Sequence, residues 1–170
     1  MQIAVTIDDL AFVAADAVAR PVNAELRAVT PVIRRLEQAA GEGLLRQLHV
    51  QQPLEVGAAV VTAAGAVQAD LMIHAVVSTE TERVTRDGVR RATTSVLQRA
   101  HDFAIDRLAI APFGLGAGNL DVDDAAQTMV AVLKAHADTR PRPAHVVIVV
   151  ENDLEAEAFR NVVTRLWREG

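Results

Sequence analysis

Three glycines at alternate positions, Gly114, Gly116 and Gly118, form the part of this chain whose residue types and spacing could do chemistry. Glycine has no Cβ atom, so the backbone N–H groups of such a loop can approach a phosphate closely. The apolar stretch 106–111 before the loop predicts a short buried strand, and the apolar spacing after it predicts an amphipathic helix. This arrangement predicts a nucleotide-phosphate loop, although a glycine turn that only connects strand and helix has the same local pattern.

Composition restricts the classes of protein and of site that the chain can form. With 170 residues, 51% of them hydrophobic, the chain can bury one sizeable core, and we expect a single domain over residues 1–170. The net charge of -5 argues against a nucleic-acid groove, because such a groove needs a basic face. The sequence contains no cysteine, which excludes disulfides, thiolate metal ligands and thiol nucleophiles. The histidines show no metal-ligand spacing, so we predict neither a metal nor a cofactor.

The sequence also bears on location and partners. No apolar stretch reaches the roughly 20 residues that a membrane span needs, and residues 1–5 lack the pattern of a signal peptide. We therefore expect a cytoplasmic protein that binds neither membrane nor nucleic acid. The oligomeric state is left open, with a homo-oligomer as one alternative.

Apolar segments and amphipathic segments alternate along the chain. Strands are predicted at 3–7, 11–19, 55–63, 71–77, 106–111 and 144–150. Helices are predicted from an N-cap at Thr30 to Gly41, over 86–103, from the glycine loop to about His136, and from Asp153 onwards. The last helix is expected to bury the apolar residues Leu154, Ala158, Phe159, Val162, Val163 and Leu166.

These elements predict an α/β fold, a three-layer α/β/α sandwich with a mixed, mostly parallel central sheet. Near-continuous apolar strands between amphipathic helices are typical of a sheet that is covered on both faces. In such folds ligands bind outside the carboxyl ends of the strands. The glycine loop follows one such strand end, and Glu151 follows another.

Three motifs follow one another between Val56 and Ala126. They are Val-Gly-Ala-Ala-Val-Val-Thr at 56–62, Asp-Leu-Met-Ile-His-Ala-Val at 70–76, and the strand with its glycine loop at 107–118. In their order and spacing they resemble the G-x-A-x-x-T strand, the I-I-H-A-V strand and the second phosphate loop of the macrodomain family, an ADP-ribose-binding α/β module. The resemblance implies the macrodomain fold and a cleft for ADP-ribose or a related nucleotide diphosphate.

The resemblance also implies roles for individual residues. Asp9 and Leu10 correspond to the family's G-D-I turn, so Asp9 would accept from the adenine amino group, unless it only caps a turn. Asn23 corresponds to the second asparagine of the family's N-A-A-N and would lie near the distal ribose as a weak catalytic candidate, unless it only terminates a loop. Backbone contacts to the diphosphate are implied for the loop residues Gly114, Leu115, Gly116, Ala117, Gly118 and Asn119.

The chain departs from the family at the first of the two phosphate loops. Val29-Thr30-Pro31 replaces the usual glycines, and valine resists positive φ while proline has no N–H to donate. Arg20 replaces the first asparagine, where it either binds a phosphate or, as we favour, pairs with Glu25 in solvent. We therefore expect a binding module rather than an ADP-ribosyl hydrolase. An interaction domain that has lost nucleotide binding is the third alternative.

Two further features receive a structural interpretation. His74 lies among apolar neighbours of a predicted strand, which favours a hydrogen-bonded core histidine over a catalytic base. Asp121 and Asp124, three residues apart before an apolar helix, resemble a capping box.

Overall fold

The computed structural model describes residues 1–49, 52–116 and 118–168, and these contain six strands and five helices. In chain order they are β1 (Gln2–Ile7), β2 (Ala17–Asn23), α1 (Pro31–Ala40), α2 (Glu42–Gln47), β3 (Ala59–Ala63), β4 (Leu71–Ser78), α3 (Arg86–Asp102), β5 (Arg107–Ile110), α4 (Val122–Ala137), β6 (His145–Val150) and α5 (Asp153–Arg168). The strands form one sheet in the order β1-β6-β5-β2-β4-β3. Every neighbouring pair is parallel except β3 with β4, which confirms the predicted mixed, mostly parallel sheet.

Helices cover both faces of this sheet. One buried cluster lies on the side of α3, α4 and α5, and a second lies on the side of α1 and α2. Strand β5 supplies both clusters, because successive side chains of a strand point to opposite faces. Leu108 and Ile110 belong to the first cluster and Ala109 to the second. The predicted three-layer α/β/α sandwich is confirmed.

The predicted boundaries of the second strand are wrong. The strand occupies Ala17–Asn23 instead of 11–19, because Asp9 organises a turn over 9–12. The Asp9 carboxylate accepts from the N–H of Ala11 at 2.9 Å, and its carbonyl accepts from the N–H of Phe12 at 2.9 Å. The strand tolerates Pro21, since the pairing with β5 ends at Ala19 and the missing N–H removes no bond to that strand.

Helix α1 begins as predicted. Thr30 is the N-cap, its hydroxyl accepts from the N–H of Ile33 at 3.4 Å, and Pro31 occupies the first helical position. The helix buries Ile33, Leu36 and Ala40 and ends at Gly41. Helix α4 is capped in the same way, because the Asp121 carboxylate accepts from the N–H of Asp124 at 2.9 Å.

Two other expectations need correction. Leu154 is 68% exposed instead of buried, because it lies in the first turn of α5, at the carboxyl edge of the sheet, whereas Phe159 and Val162 further along are buried. The short helix α2 was not predicted, since Gly43 weakens the helical pattern and Leu44 alone is buried. Among the described residues, no helix is long and apolar enough to cross a membrane.

Candidate functional site

A cleft of about 620 Å³ opens at the carboxyl edge of the sheet. Four segments line it, one after each of four adjacent strands, since parallel strands bring their carboxyl ends to the same edge. The lining residues are Asp8, Leu10, Pro21, Val29, Thr30, Pro31, Val32, Ile33, Arg34, Arg35, Ala111, Pro112, Leu115, Gly116, Asn119, Val149, Val150, Glu151 and Glu155. These four strands lie side by side in the order β1-β6-β5-β2. The segments that follow them therefore line the cleft in that order.

The glycine loop after β5 forms one wall of the cleft. Its N–H groups at Asn119 and Leu120 are used within the loop, donating to the carbonyls of Gly116 at 3.1 Å and Gly114 at 3.0 Å. The N–H groups of Gly114, Leu115 and Gly116 donate to no acceptor among the described residues. Leu115 and Gly116 line the cleft, so this wall contains two backbone donors that have no acceptor among the described residues.

Glycine is required in this loop for two distinct reasons. Gly114 and Gly116 have φ angles of 82° and 128°, which side chains rarely adopt. A Cβ atom on Gly114 would also lie 2.8 Å from Cγ2 of Val89, because the loop packs directly on α3. The loop can therefore keep this conformation beside the cleft only with glycine at these positions.

The start of α1 forms the opposite wall. The N–H of Val32 donates to no acceptor within the described ranges, and Val32 lines the cleft. A helix N-terminus also carries a partial positive charge that favours anions. This wall has lost the glycines of the family pattern, yet it still offers one N–H group and a helix end.

Charged side chains differ between the two ends of the cleft. Arg35 on α1 pairs with Glu151, after β6, at 3.1 Å and so connects opposite sides of the cleft. Arg34 forms no ion pair with any described residue. Asp8 and Glu155 lie at the end of the cleft near β1 and β6. Burial raises the pKa of Glu155, and the negative charge of the neighbouring Glu151 raises it further. Hydrogen-bond acceptors thus gather at one end and donors between the two walls.

The family model described as Macro domain matches residues 19–129, more than half of the chain. The chain belongs to the macro domain family. The expected membership, as a divergent member, is confirmed. Within the described parts of this macrodomain, no three histidine, aspartate or glutamate side chains are close enough to hold a metal ion.

Solved macrodomains share the fold at low identity. The Oceanobacillus iheyensis macrodomain with ADP is 13% identical, with a TM-score of 0.87 over 98% of this chain and 92% of that one. The Trypanosoma brucei macrodomain in complex with ADP-ribose is 15% identical, with a TM-score of 0.85 over 95% of this chain and 69% of that one. At these identities the likeness shows the fold alone.

A sequence relative is longer than this chain. An uncharacterized protein of Mycobacterium tuberculosis (strain ATCC 25618 / H37Rv) is 32% identical over 145 residues, which are 85% of this chain and 40% of the relative. The chain therefore spans less than half the length of this mycobacterial relative.

Of the residues that the resemblance assigned to the base and to the distal ribose, only some line the cleft. Leu10 and the preceding carboxylate Asp8 line the cleft, whereas the Asp9 carboxylate accepts from the N–H of Ala11 in the 9–12 turn. Asn23 is not among the lining residues. Its oxygen accepts from the N–H groups of Glu25 at 2.9 Å and Arg27 at 3.0 Å, which closes a turn over 23–27.

The residues assigned to the diphosphate also differ in position. Leu115, Gly116 and Asn119 line the cleft, and Gly114 is buried. Gly118 is exposed and is not among the lining residues. Ala117 lies outside the described residues.

Arg20 is fully buried, so both interpretations from the sequence, a phosphate ligand and a solvated partner of Glu25, are wrong. Its guanidinium pairs with Glu37 of α1 at 2.5 Å and donates to the carbonyl of Leu26 at 3.0 Å. The alternation of Val18, Arg20 and Val22 in β2 explains the burial, since all three point to the α1 face. A predicted strand that extended past Arg20 would have placed the Arg20 side chain on the same face as Val18 and Val22.

His74 extends the buried network of Arg20. It is a hydrogen-bonded core histidine, which confirms the interpretation from the sequence. Its Nδ1 accepts from Nε of Arg20 at 2.8 Å, so the ring proton is on Nε2, which donates to the Thr62 hydroxyl at 2.8 Å. Burial and then the charge of Arg20 lower the pKa of His74 to about 3. His74 is therefore neutral at neutral pH.

Proposed function

We propose that this macrodomain binds a nucleotide diphosphate, ADP-ribose or a related compound, in the cleft. The observation that carries the proposal is a set of backbone N–H groups that donate to no described acceptor, those of Leu115 and Gly116 on one wall and that of Val32 on the other. Backbone N–H groups and a helix N-terminus bind phosphates without a charged side chain. The ADP and ADP-ribose complexes of the two structurally similar macrodomains support this class of ligand.

The acceptor-rich end of the cleft suits a nucleobase. The carboxylate of Asp8, which accepts from the N–H of Asp9 at 2.7 Å, can accept a further hydrogen bond from an exocyclic amino group, and the buried Leu10 offers an apolar contact to a ring. We assign the contact with the amino group to Asp8 in place of Asp9, because Asp8 lines the cleft and Asp9 is not among the described lining residues.

Binding is favoured over hydrolysis by the side chains that line the phosphate region. Val29, Thr30, Pro31 and Leu115 carry no group that could act as a general base at neutral pH. Of the carboxylates that line the cleft, Asp8 follows β1, Glu155 lies in α5, and Glu151 is paired with Arg35. The N–H groups of Leu115, Gly116 and Val32, which have no acceptor among the described residues, favour a ligand-binding domain over an interaction domain that has lost nucleotide binding.

Titration calorimetry of the wild-type protein with ADP-ribose and with ADP tests the proposal. We expect saturable heat with one ligand per chain and a Kd of about 1 mM or lower for at least one of the two, which corresponds to about -4 kcal/mol. No heat with either ligand at millimolar concentration would reject the function.

A further inference from the structure

A buried ion pair between Arg20 and Glu37 connects helix α1 to the sheet. Nη1 of Arg20 lies 2.5 Å from Oε1 of Glu37, and the two side chains are 0% and 14% exposed. Arg20 belongs to β2 and Glu37 to α1, so the pair fixes the helix against the strand. Neither residue is among the described residues that line the cleft.

The same pair holds the chain segment that leads into one wall of the cleft. Nη2 of Arg20 donates to the carbonyl of Leu26 at 3.0 Å. Oε1 of Glu37, which accepts from Arg20, also accepts from the N–H of Ala28 at 2.9 Å. The next four residues, 29–32, all line the cleft. This wall is therefore anchored by one side chain from the strand before it and one from the helix after it.

The turn before the wall is strained at Leu26 and needs this support. Leu26 has a φ angle of 62°, a left-handed conformation that residues with a side chain rarely adopt. Such a residue persists only where the surrounding structure holds it. Besides the bonds within the turn, Leu26 is held by its buried side chain and by the hydrogen bond from Arg20. Without the pair, the turn can relax and the wall that follows it moves.

We infer that Arg20 and Glu37 are positioning residues for the cleft: they place the wall at 29–32, and with it the N–H of Val32, although neither side chain lines the cleft. The step from the wall to the ligand rests on the proposed function. A hydrogen bond weakens steeply when its length or angle departs from the ideal, so a displaced donor binds a phosphate less well. The affinity of the cleft therefore depends on an ion pair outside it.

Hydrogen exchange of the wild-type protein without ligand tests whether the pair holds the turn. The N–H of Ala28 donates to Glu37 in a partly buried contact, whereas the N–H of its neighbour Arg27 donates to Asn23 in an exposed one. After correction for intrinsic rates, we expect Ala28 to exchange at least about 100-fold more slowly than Arg27. Equal exchange of the two amides would overturn the inference whether or not ADP binds.

Two double variants test the step from the wall to the ligand. Arg20→Met/Glu37→Met removes both charges, so no unpaired charge stays buried, and it removes the acceptor of the Ala28 N–H. Arg20→Met/Glu37→Gln is the matched variant, because the glutamine oxygen can still accept from Ala28. By calorimetry, we expect the Kd for ADP to be at least about tenfold higher than in the wild type for the first variant, and at least about threefold lower for the second than for the first.

The comparison of the two double variants can contradict the inference in two ways. Wild-type affinity in Arg20→Met/Glu37→Met would show that the pair does not position the wall. Equal affinity in the two variants would show that the acceptor at position 37 has no role in it. If the first variant does not fold, the exchange of Ala28 in the wild type decides.

Thr62→Val separates positioning from general stability. The Thr62 hydroxyl accepts from His74 at the other end of the network, so its loss destabilises the protein but leaves the contacts of Leu26 and Ala28 in place. We expect a lower free energy of unfolding in urea, with a Kd for ADP within about twofold of the wild type. A Kd raised as much as in the first double variant would mean a purely structural role and overturn the inference. If the wild type binds neither ADP nor ADP-ribose, the proposed function fails, whereas the exchange result still decides whether the pair holds the turn.

Discussion

Replacement of Gly116 by glutamate is expected to raise the Kd for ADP by at least about 100-fold, which amounts to abolished binding in practice. A side chain on Gly116 starts between Thr30 and Asn119, so the new carboxylate lies among the donors proposed for the phosphates and repels them. The φ angle of 128° also strains any residue other than glycine, which displaces the N–H groups of the loop. Titration calorimetry with ADP measures the loss.

Gly43→Glu is the matched control for this prediction. Gly43 lies in α2 outside the cleft, and a Cβ atom there would meet nothing within 4 Å. The control adds the same charge and should bind ADP like the wild type, while circular dichroism confirms that both variants are folded. Wild-type affinity in Gly116→Glu would show that the glycine loop is not the anion site.

The second large effect expected is a loss of stability in mild acid that depends on His74. Its pKa is about 3 in the folded protein against 6.5 for an ordinary histidine, because burial and the charge of Arg20 disfavour the protonated ring. The unfolded chain therefore takes up a proton below pH 6.5 that the folded chain does not bind until about pH 3. The stabilisation is complete above pH 6.5 and falls as the pH is lowered, by about 2 kcal/mol between pH 7 and pH 5.

Urea denaturation of the wild type and of His74→Gln at both pH values isolates this contribution. Glutamine retains a donor and an acceptor but does not titrate, while the other titratable groups are shared by the two proteins. The free energy of unfolding should fall by about 2 kcal/mol more in the wild type than in the variant. Equal losses would mean that the folded protein protonates His74 as readily as the unfolded chain does, which would contradict the lowered pKa of His74.

Much of the fold could be predicted because local sequence signals and packing agree. At α1, the capping threonine, the proline at the first helical position and the apolar spacing of Ile33, Leu36 and Ala40 all indicate the same helix. The strand before the glycine loop is similarly clear, since Leu108, Ala109 and Ile110 are buried between two helical layers. The family resemblance added the order in which these elements form a cleft.

The errors concern residues whose positions depend on contacts that are distant in sequence. Arg20 resembles a surface residue, and its burial is understood only with Glu37 and His74, which lie on other elements. Asp8 and Asp9 are adjacent carboxylates, and only the turn over 9–12 decides which of them lines the cleft. No local pattern indicates that Thr30 meets Gly116 across the cleft.

An amide-resolved NMR titration of the wild-type protein with ADP tests the central claim most directly, namely that unused backbone N–H groups on the two walls bind the diphosphate. The largest chemical-shift changes are expected at the amides of Leu115, Gly116 and Val32, with little change in the remote helix α2. Unchanged amides at these three positions, in the presence of saturable binding elsewhere, would contradict the account.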